Sequence, residues 1–170
     1  MQPLYMLTGV DVRRAEETDT SRVWSIEKVT LAPINFVETD HSPGGGVGDV
    51  GWVQPRIEKV ECGFAVKGID VDAFRGMGQR TRWVFAGAYR NKQTGIEVPG
   101  RAIIEGAIRT WEPDESSPTE FQGCNYSLAE VTHYEFLLNG KEHWYWDYWE
   151  RVLRTDGTDH FAPTRLALGV

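Results

Sequence analysis

The sequence predicts a mostly β fold, a β-sandwich or barrel subunit with one short helix packed against it. Six segments are rich in valine, isoleucine, threonine and aromatic residues, and turn-forming residues separate them. Several of these segments alternate between apolar and polar residues, which is the period of a strand with one buried face. The 170 residues are 41% hydrophobic and 25% charged, which indicates a single globular domain over residues 1–170.

The strand segments follow one another along the chain without a linker or an internal repeat. Segment 56–68 shows the alternation clearly, because Val60, Phe64 and Val66 fall on one face and charged residues fall on the other. Segments 91–95 and 154–159 contain turn-forming residues and are predicted connections. The six predicted strands cover residues 22–31, 56–68, 82–90, 97–111, 125–138 and 142–154.

The dipeptide Asn139-Gly140 predicts a tight hairpin turn, because both residue types readily adopt positive φ angles. A two-residue loop at this position pairs Leu138 with Lys141. Continued along both strands without interruption, the same register pairs Tyr134 with Tyr145.

One short helix is predicted over residues 71–78. Asp70 is placed to cap its first turn, and the glycines at its end stop it. The C-terminal segment 161–170 is a weaker candidate for a helical turn, since Pro163 and the closing glycine disfavour it.

The chain carries 18 basic and 25 acidic residues, a net charge of −7. This balance argues against a protein that grips nucleic acid, because phosphate binding needs clustered lysine and arginine. It is compatible with a protein that lets nucleic acid pass without sticking. No apolar run approaches the roughly 18 residues of a membrane helix, and the N-terminus has no secretory pattern, so no membrane association is expected.

No motif in the sequence points to catalysis, a cofactor or a metal. The four histidines lack metal-binding spacing, and neither a CxxC pair nor a G-x-S-x-G motif is present. Asp114, Glu115 and Glu120 lie in a polar stretch with nothing apolar to raise a carboxyl pKa, so a solvated acidic loop is expected. The prediction is a protein that is not an enzyme and needs no cofactor.

The stretch HSPGGGVGDVGW, residues 41–52, contains five glycines and a proline. It lacks the Lys-Ser/Thr ending of a phosphate-binding P-loop and the strand-to-helix setting of a dinucleotide fingerprint. A glycine cluster between strands is more typical of a long, mobile loop, here placed over residues 39–54.

The densest aromatic feature is HWYWDYWE, residues 143–150. Read as one strand, it places Trp144, Trp146 and Tyr148 on one face, and Tyr145 and Trp149 on the other. Large apolar groups on both faces favour contact with another molecule. Two alternatives remain open, an aromatic-rich core strand and a sugar-stacking platform in which Trp144, Trp146 and Trp149 would make the chain a sugar-binding β-sandwich module.

The two cysteines, Cys62 and Cys124, also leave alternatives open. They are expected to be reduced strand residues. A disulfide, within or between subunits, would form only in oxidising surroundings.

Taken in order, several blocks resemble the major tail tube protein family of contractile-tailed bacteriophages and R-type pyocin tubes. The resemblance runs from about Val23 to the C-terminus, and it depends on the order and spacing of the blocks. They are VTLAPINFVET before the triple glycine, CGFAVKGID before the short helix, FAGAYRNKQTG, RAIIEGAIRTWE, and the long block from YSLAEVTHYEFLLNGKE to the end.

The resemblance implies a structural virion protein whose copies close into a hexameric ring, with strands of neighbouring subunits completing a multi-chain β-barrel. Stacked rings would form the inner tube of a contractile tail, through which DNA reaches the host without specific binding. The implied partners are further copies of the chain, the tail sheath protein, baseplate and tail terminator proteins, and a tape measure protein in the lumen. Assembly is expected in the host bacterial cytoplasm.

The resemblance also assigns roles to parts of the chain. Residues 1–21 become an N-terminal arm, and residues 39–54 become an inter-ring loop. The self-assembly residues of that loop are Pro43, Gly44, Gly45, Gly46, Val47 and Trp52. The aromatic strand with Trp144, Trp146, Tyr148 and Trp149 becomes the contact with a partner or neighbouring subunit.

Overall fold

The computed structural model describes residues 2–170, so Met1 of the predicted arm lies outside the described residues. Strands dominate this part of the chain, with two α-helices and a 3-10 turn at Thr18–Thr20. The elements are β1 (Tyr5–Arg14), β2 (Ile26–Thr30), β3 (Phe36–His41), β4 (Val50–Ile57), β5 (Cys62–Lys67), α1 (Val71–Phe74), β6 (Arg80–Asn91), β7 (Glu97–Pro113), β8 (Gly123–Leu138), β9 (Lys141–Asp147), β10 (Val152–Thr155), β11 (Thr158–Asp159) and α2 (Ala162–Leu168).

Nine strands form one antiparallel sheet, and β3 and β4 form a separate two-stranded sheet. The main path runs β1-β6-β7-β8-β9-β10-β11, and β8 also pairs with β5, which pairs with β2. The long strands β7 and β8 shift register twice, near Gly106 and near Arg109. Such bulges bend a sheet, and here the bend brings β2 and β5 over β1 and β6. The mostly β prediction is confirmed, and within residues 2–170 the sheet does not close into a barrel.

A single aromatic core fills the space between the two parts of the sheet. Phe64 of β5 stacks on Tyr126 of β8 with ring centroids 5.0 Å apart, and it packs against Trp83 of β6 at 5.8 Å. Ile104 and Leu128 lie below them and are completely buried. The strands with the strongest apolar pattern therefore meet in one core.

Segment 56–68 is divided in the structure, because β4 ends at Ile57 and β5 begins at Cys62. The predicted apolar face, Val60, Phe64 and Val66, is buried, and the charged residues of the other face are exposed. Gly63 and Ala65 of that second face are nevertheless buried. The close approach of β8 explains the small residues on the second face. A Cβ atom on Gly63 would lie only 2.5 Å from the carbonyl oxygen of Tyr126.

The hairpin at Asn139-Gly140 forms with Leu138 paired to Lys141, as predicted. A bulge between Phe136 and Leu137 then shifts the register by one residue. Tyr134 consequently faces Trp146 instead of Tyr145. Both predicted turns form, but each connection is shorter than predicted. Asn91 belongs to β6, and in 154–159 only residues 156–157 lie between the paired strands β10 and β11.

The short helix α1 begins where the sequence places it, and the Asp70 carboxylate accepts a hydrogen bond from Ala73 N at 3.1 Å. The C-terminal candidate for a helical turn is confirmed as a second helix, Ala162–Leu168, and the expectation that Pro163 and the closing glycine disfavour it is wrong. Pro163 lies in its first turn, where a missing N–H breaks no helical hydrogen bond. Gly169 has a φ of 71° and caps the last turn.

Both cysteines are buried and free. Cys124 pairs with Val66 and therefore lies four residues along β5 from Cys62, about 13 Å at the rise of a strand. A disulfide needs Cα atoms within about 7 Å, so the two residues cannot form one inside the chain. Burial raises the pKa of Cys62 to about 12, which keeps this thiol protonated and unreactive.

Candidate functional site

A groove of about 740 Å³ lies beside the bulges of β7 and β8. Its floor is apolar, with Val60 and Ile108 almost completely buried. Trp146 lines both this groove and an adjoining second pocket of about 220 Å³. We call the two together the Trp146 groove; its apolar lining is Ile57, Val60, Met77, Ile108, Val131, Trp146 and Phe161.

Charged residues surround the Trp146 groove unevenly. Lys59 and Arg109 share the carboxylate of Glu61, at 2.5 and 3.3 Å, and these contacts lower the pKa of Glu61. Arg56 and Arg151 line the smaller pocket, and neither forms an ion pair within residues 2–170. The smaller pocket therefore combines apolar residues with two guanidinium groups that lack an ion pair and with Asp147, whose carboxylate accepts backbone hydrogen bonds from Trp149 and Glu150.

The aromatic segment 143–150 does not continue as one strand, because β9 ends at Asp147. The Asp147 carboxylate accepts hydrogen bonds from the backbone N–H groups of Trp149 and Glu150, each at 2.8 Å, and so closes a turn. His133 Nδ1 lies 3.1 Å from the other carboxylate oxygen. The prediction that Trp144, Trp146 and Tyr148 share a strand face is wrong for Tyr148, which lies in this turn.

The predicted aromatic contact residues divide into three environments. Trp144 is 5% exposed and belongs to the core, so it has almost no surface to offer a partner. Trp146 is half-buried in the groove wall, whereas Tyr148 and Trp149 are 59% and 63% exposed at the turn. Arg80 lies over the Trp149 ring at 5.6 Å. A sugar platform built from Trp144, Trp146 and Trp149 is contradicted, because the three rings do not form one surface.

The glycine-rich segment is the tip of a β-hairpin, so residues 39–54 are only partly a loop. Strands β3 and β4 extend to His41 and from Val50, which leaves residues 42–49 as the connection. Trp52 is 59% exposed and pairs with Thr39. The six residues assigned to self-assembly, Pro43, Gly44, Gly45, Gly46, Val47 and Trp52, are all exposed on this hairpin.

A second apolar surface was missed by the sequence reading. Trp24 precedes β2, Ile69 and Val71 follow β5, and Phe121 precedes β8, and these three strands are neighbours. The backbone N–H of Lys67 donates to Ser25 O at 2.7 Å, which joins two of these segments. We call this surface the Trp24 end; its residues Trp24, Ile69, Val71 and Phe121 are 98%, 60%, 76% and 84% exposed.

A buried arginine holds the Trp24 end in place. The backbone carbonyl of Arg22 accepts hydrogen bonds from Ser25 and Ile26, which closes the turn that carries Trp24. The Arg22 guanidinium is buried, pairs with Asp70, and donates to Asp72 at 2.9 Å. It also lies over the rings of Phe64 and Trp83 at 5.5 and 5.3 Å.

The carboxylate of Asp72 balances two effects. Its partial burial opposes ionisation, but Arg14 and Arg22 outweigh burial and lower the pKa below its usual value. Arg14 Nη2 also donates to the backbone carbonyl of Asp72 at 3.0 Å. The end of β1, the Trp24 turn and α1 are therefore fixed to one another by charge-assisted hydrogen bonds.

Comparison with known protein families decides what kind of protein this is. The family model described as phage tail tube protein FII matches residues 19–169, almost the whole chain. The chain belongs to this family. No curated protein sequence matches it.

As a phage tail tube protein, the chain is a structural protein of the virion tail that assembles with further copies into a tube. The family is generally non-enzymatic. Within residues 2–170, no cluster of three or more histidine, cysteine, aspartate or glutamate side chains could hold a metal ion. Neither helix in the described residues has the length and hydropathy to cross a membrane.

Proposed function

We propose that the chain forms hexameric rings that stack into the inner tube of a contractile tail, the conduit for DNA delivery. The observation that carries this proposal is the number of sheet edges and apolar surfaces that one chain leaves uncovered. At the edges of the main sheet, β1 pairs only with β6 and β2 only with β5. Unpaired edges are templates for further strands, and a barrel made from several chains removes them.

The exposed N-terminal half of β1 supports edge-to-edge assembly. Leu4, Tyr5, Met6 and Leu7 are between 37% and 64% exposed, and four consecutive apolar residues on an edge strand are unfavourable in water. Pairing of this edge with a neighbouring subunit would cover both the backbone groups and the side chains. We therefore assign the predicted arm, residues 1–21, to contacts between subunits.

The glycine-rich hairpin is proposed as the inter-ring contact. Among residues 2–170, none pairs as a strand with residues 42–49, and the one backbone turn hydrogen bond described at the tip runs from Gly46 N to Pro43 O at 3.1 Å. Val47 at the tip is fully exposed. A tip with so few internal contacts can adapt to the surface of the next ring, and burial of Val47 and Trp52 would stabilise the stack.

The charge of the chain favours passage of DNA without specific binding. A ring of six chains would carry six times the net charge of −7, so phosphates are repelled wherever acidic residues face the bore. Several arginines are also occupied within the chain. Arg154 donates two hydrogen bonds to Glu142, at 2.6 and 2.8 Å, and Arg165 donates to Asp159 at 2.6 Å. Guanidinium groups held in this way are less available to phosphates.

The remaining partners follow from a tube inside a contractile tail. The outside of the tube would contact the tail sheath protein, its ends would contact baseplate and tail terminator proteins, and its lumen would hold a tape measure protein. Exposed Tyr148 and Trp149 are the aromatic residues we assign to a partner or neighbouring subunit. Assembly would take place in the host bacterial cytoplasm.

Negative-stain electron microscopy of the concentrated protein tests this proposal. We expect six-fold rings and hollow tubes, with a matching increase in mass measured by light scattering. A chain that stays monomeric at all concentrations and with its tail partners would contradict self-assembly. Rings of another symmetry would contradict the hexamer alone.

A further inference from the structure

We propose that the Trp24 end of one subunit docks into the Trp146 groove of the next subunit. This inference rests on the proposed function, since it names the two surfaces through which copies of the chain would meet. The isolated chain has two exposed apolar surfaces of opposite shape. One surface is a protruding set of apolar side chains, and the other is a groove with an apolar floor.

Trp24 has the character of an interface anchor. It is 98% exposed, and a tryptophan this free of contacts adds nothing to the packing of its own chain. Tryptophan is the residue type most enriched among side chains that dominate binding energy. The Arg22 carbonyl fixes its turn before any partner arrives, so less conformational entropy is lost on docking.

Ile69 and Phe121 extend the exposed apolar surface beside Trp24. Phe121 lies two strands away from Trp24, about 10 Å at the usual strand spacing, and Ile69 lies between them. The Trp146 groove also consists of two adjoining pockets, both of which Trp146 lines. The two protruding aromatic residues, Trp24 and Phe121, therefore match in number the two pockets of the Trp146 groove on the next copy.

Unpaired charges favour the same match. The loop before Phe121 carries Glu115 and Glu120, which form no ion pair within residues 2–170. The smaller pocket carries the unpaired guanidinium groups of Arg56 and Arg151. We assign the acidic loop to that pocket and Trp24 to the larger one, where Glu58 and Glu130 are offset by Lys59 and Arg109, which already pair with Glu61.

A second copy of the chain is the occupant to which these observations point. The chain assembles with further copies of itself, so every neighbour carries both a Trp24 end and a Trp146 groove. The two surfaces are different parts of the molecule, which makes the contact heterologous. Contacts of this type leave a free surface on each copy and therefore propagate into rings or stacks.

Trp24→Ser separates this contact from folding. Because the side chain is solvated in the isolated chain, we expect an unchanged Tm for the monomer. The critical concentration for assembly should rise at least about 30-fold, the effect of losing one interface hot spot. Trp24→Phe is the matched control and should keep most of the assembly, because it keeps an aromatic ring for the cavity. A critical concentration unchanged by Trp24→Ser would overturn the proposal.

Trans cross-linking identifies the occupant directly. Val23→Cys chains, which retain Trp24, are mixed with Lys59→Cys chains, and the tubes are treated with a short bismaleimide. We expect a 23–59 dimer band and none from Val23→Cys with Lys92→Cys, a control at the exposed turn after β6. The native cysteines are buried and should not react.

The outcomes distinguish the two levels of the proposal. Tubes without a 23–59 dimer overturn the docking assignment and leave the tube function intact. A dimer between Val47→Cys and Lys59→Cys in place of the 23–59 dimer would assign the groove to the hairpin tip and would also overturn it. Failure of the unmodified chain to form tubes would remove the proposed function itself.

Discussion

Removal of the Arg22 side chain tests how the Trp24 end is held. In Arg22→Ala, the buried carboxylate of Asp70 and the partly buried carboxylate of Asp72 lose their shared guanidinium. Breaking a buried ion pair in this way costs about 3–5 kcal/mol of unfolding free energy, because one charge stays buried without a partner. For a chain of this size, the loss corresponds to a Tm decrease of roughly 6–20 °C.

The measurement is urea denaturation, followed by tryptophan fluorescence at concentrations where the chain is monomeric. Arg13→Ala is the control, since Arg13 pairs with Asp11 at 3.2 Å nearer the surface, with its side chain 26% exposed. Because water reaches this half-buried pair, its loss should cost less than the loss of the buried Arg22 pairs. Equal losses for the two variants would show that burial of Arg22 has no energetic consequence, and the reasoning would be refuted.

The pH dependence of the same loss provides a second check. The folded pKa of Asp72 is below its unfolded value, so its contribution to stability is complete above the unfolded pKa and is lost as pH falls through the folded pKa. The unfolded value is about 3.9. The stability difference between the wild-type chain and Arg22→Ala should therefore shrink between about pH 5 and pH 3. A difference that stays constant over this range would contradict the ion-pair explanation.

Three further predictions concern the core, the thiols and the groove. Gly63→Ala should lower the free energy of unfolding by about 1–3 kcal/mol, because the new methyl group would meet the Tyr126 carbonyl oxygen. The measurement is a denaturant titration, and a midpoint equal to that of the wild-type chain would contradict this close approach. Cys62 and Cys124 should not react with a thiol reagent until the chain is denatured, so labelling of the native monomer would show that the core opens. Trp146→Ala should weaken tube formation, measured by light scattering, more than it weakens monomer stability, measured by thermal melting. Equal losses in the two measurements would show that the Trp146 ring stabilises only the monomer fold.

Much of the fold could be predicted from the sequence, because strand and turn chemistry is local. The turn at Asn139-Gly140 and the cap at Asp70 depend on residues next to them, and both are present. Strand β1, Tyr5–Arg14, was missed because Gly9 interrupts its pattern. This strand is held extended by pairing with β6, which lies about eighty residues further along the chain, so the residues near β1 do not predict it.

The errors within the predicted strands have a related cause. A bulge at Phe136 changes a register by one residue, and no local pattern reports the bulge. Asp147 ends β9 by accepting two backbone hydrogen bonds, so the aromatic run that continues to Trp149 does not continue as a strand. Pro163 was treated as a helix breaker, although its effect depends on whether it lies in the first turn.

The candidate surfaces were harder to predict than the fold. Aromatic density drew attention to residues 143–150, yet Trp144 is part of the core and only the turn residues are exposed. Trp24 stands alone in the sequence and is nevertheless almost completely solvated. Exposure of an aromatic residue is decided by which strands become neighbours, and that information lies in pairings such as β5 with β8.

The two proposed contact surfaces differ in how strongly the chain orders them in advance. The Trp24 end is fixed by Arg22, whose buried guanidinium bridges Asp70 and Asp72, whereas the hairpin tip around Val47 has few internal contacts. A pre-ordered surface loses little entropy on binding and defines one geometry, while an adaptable one tolerates variation at an entropic cost. We therefore expect variants at Arg22 to make tubes irregular, and variants at Val47 to make regular tubes shorter.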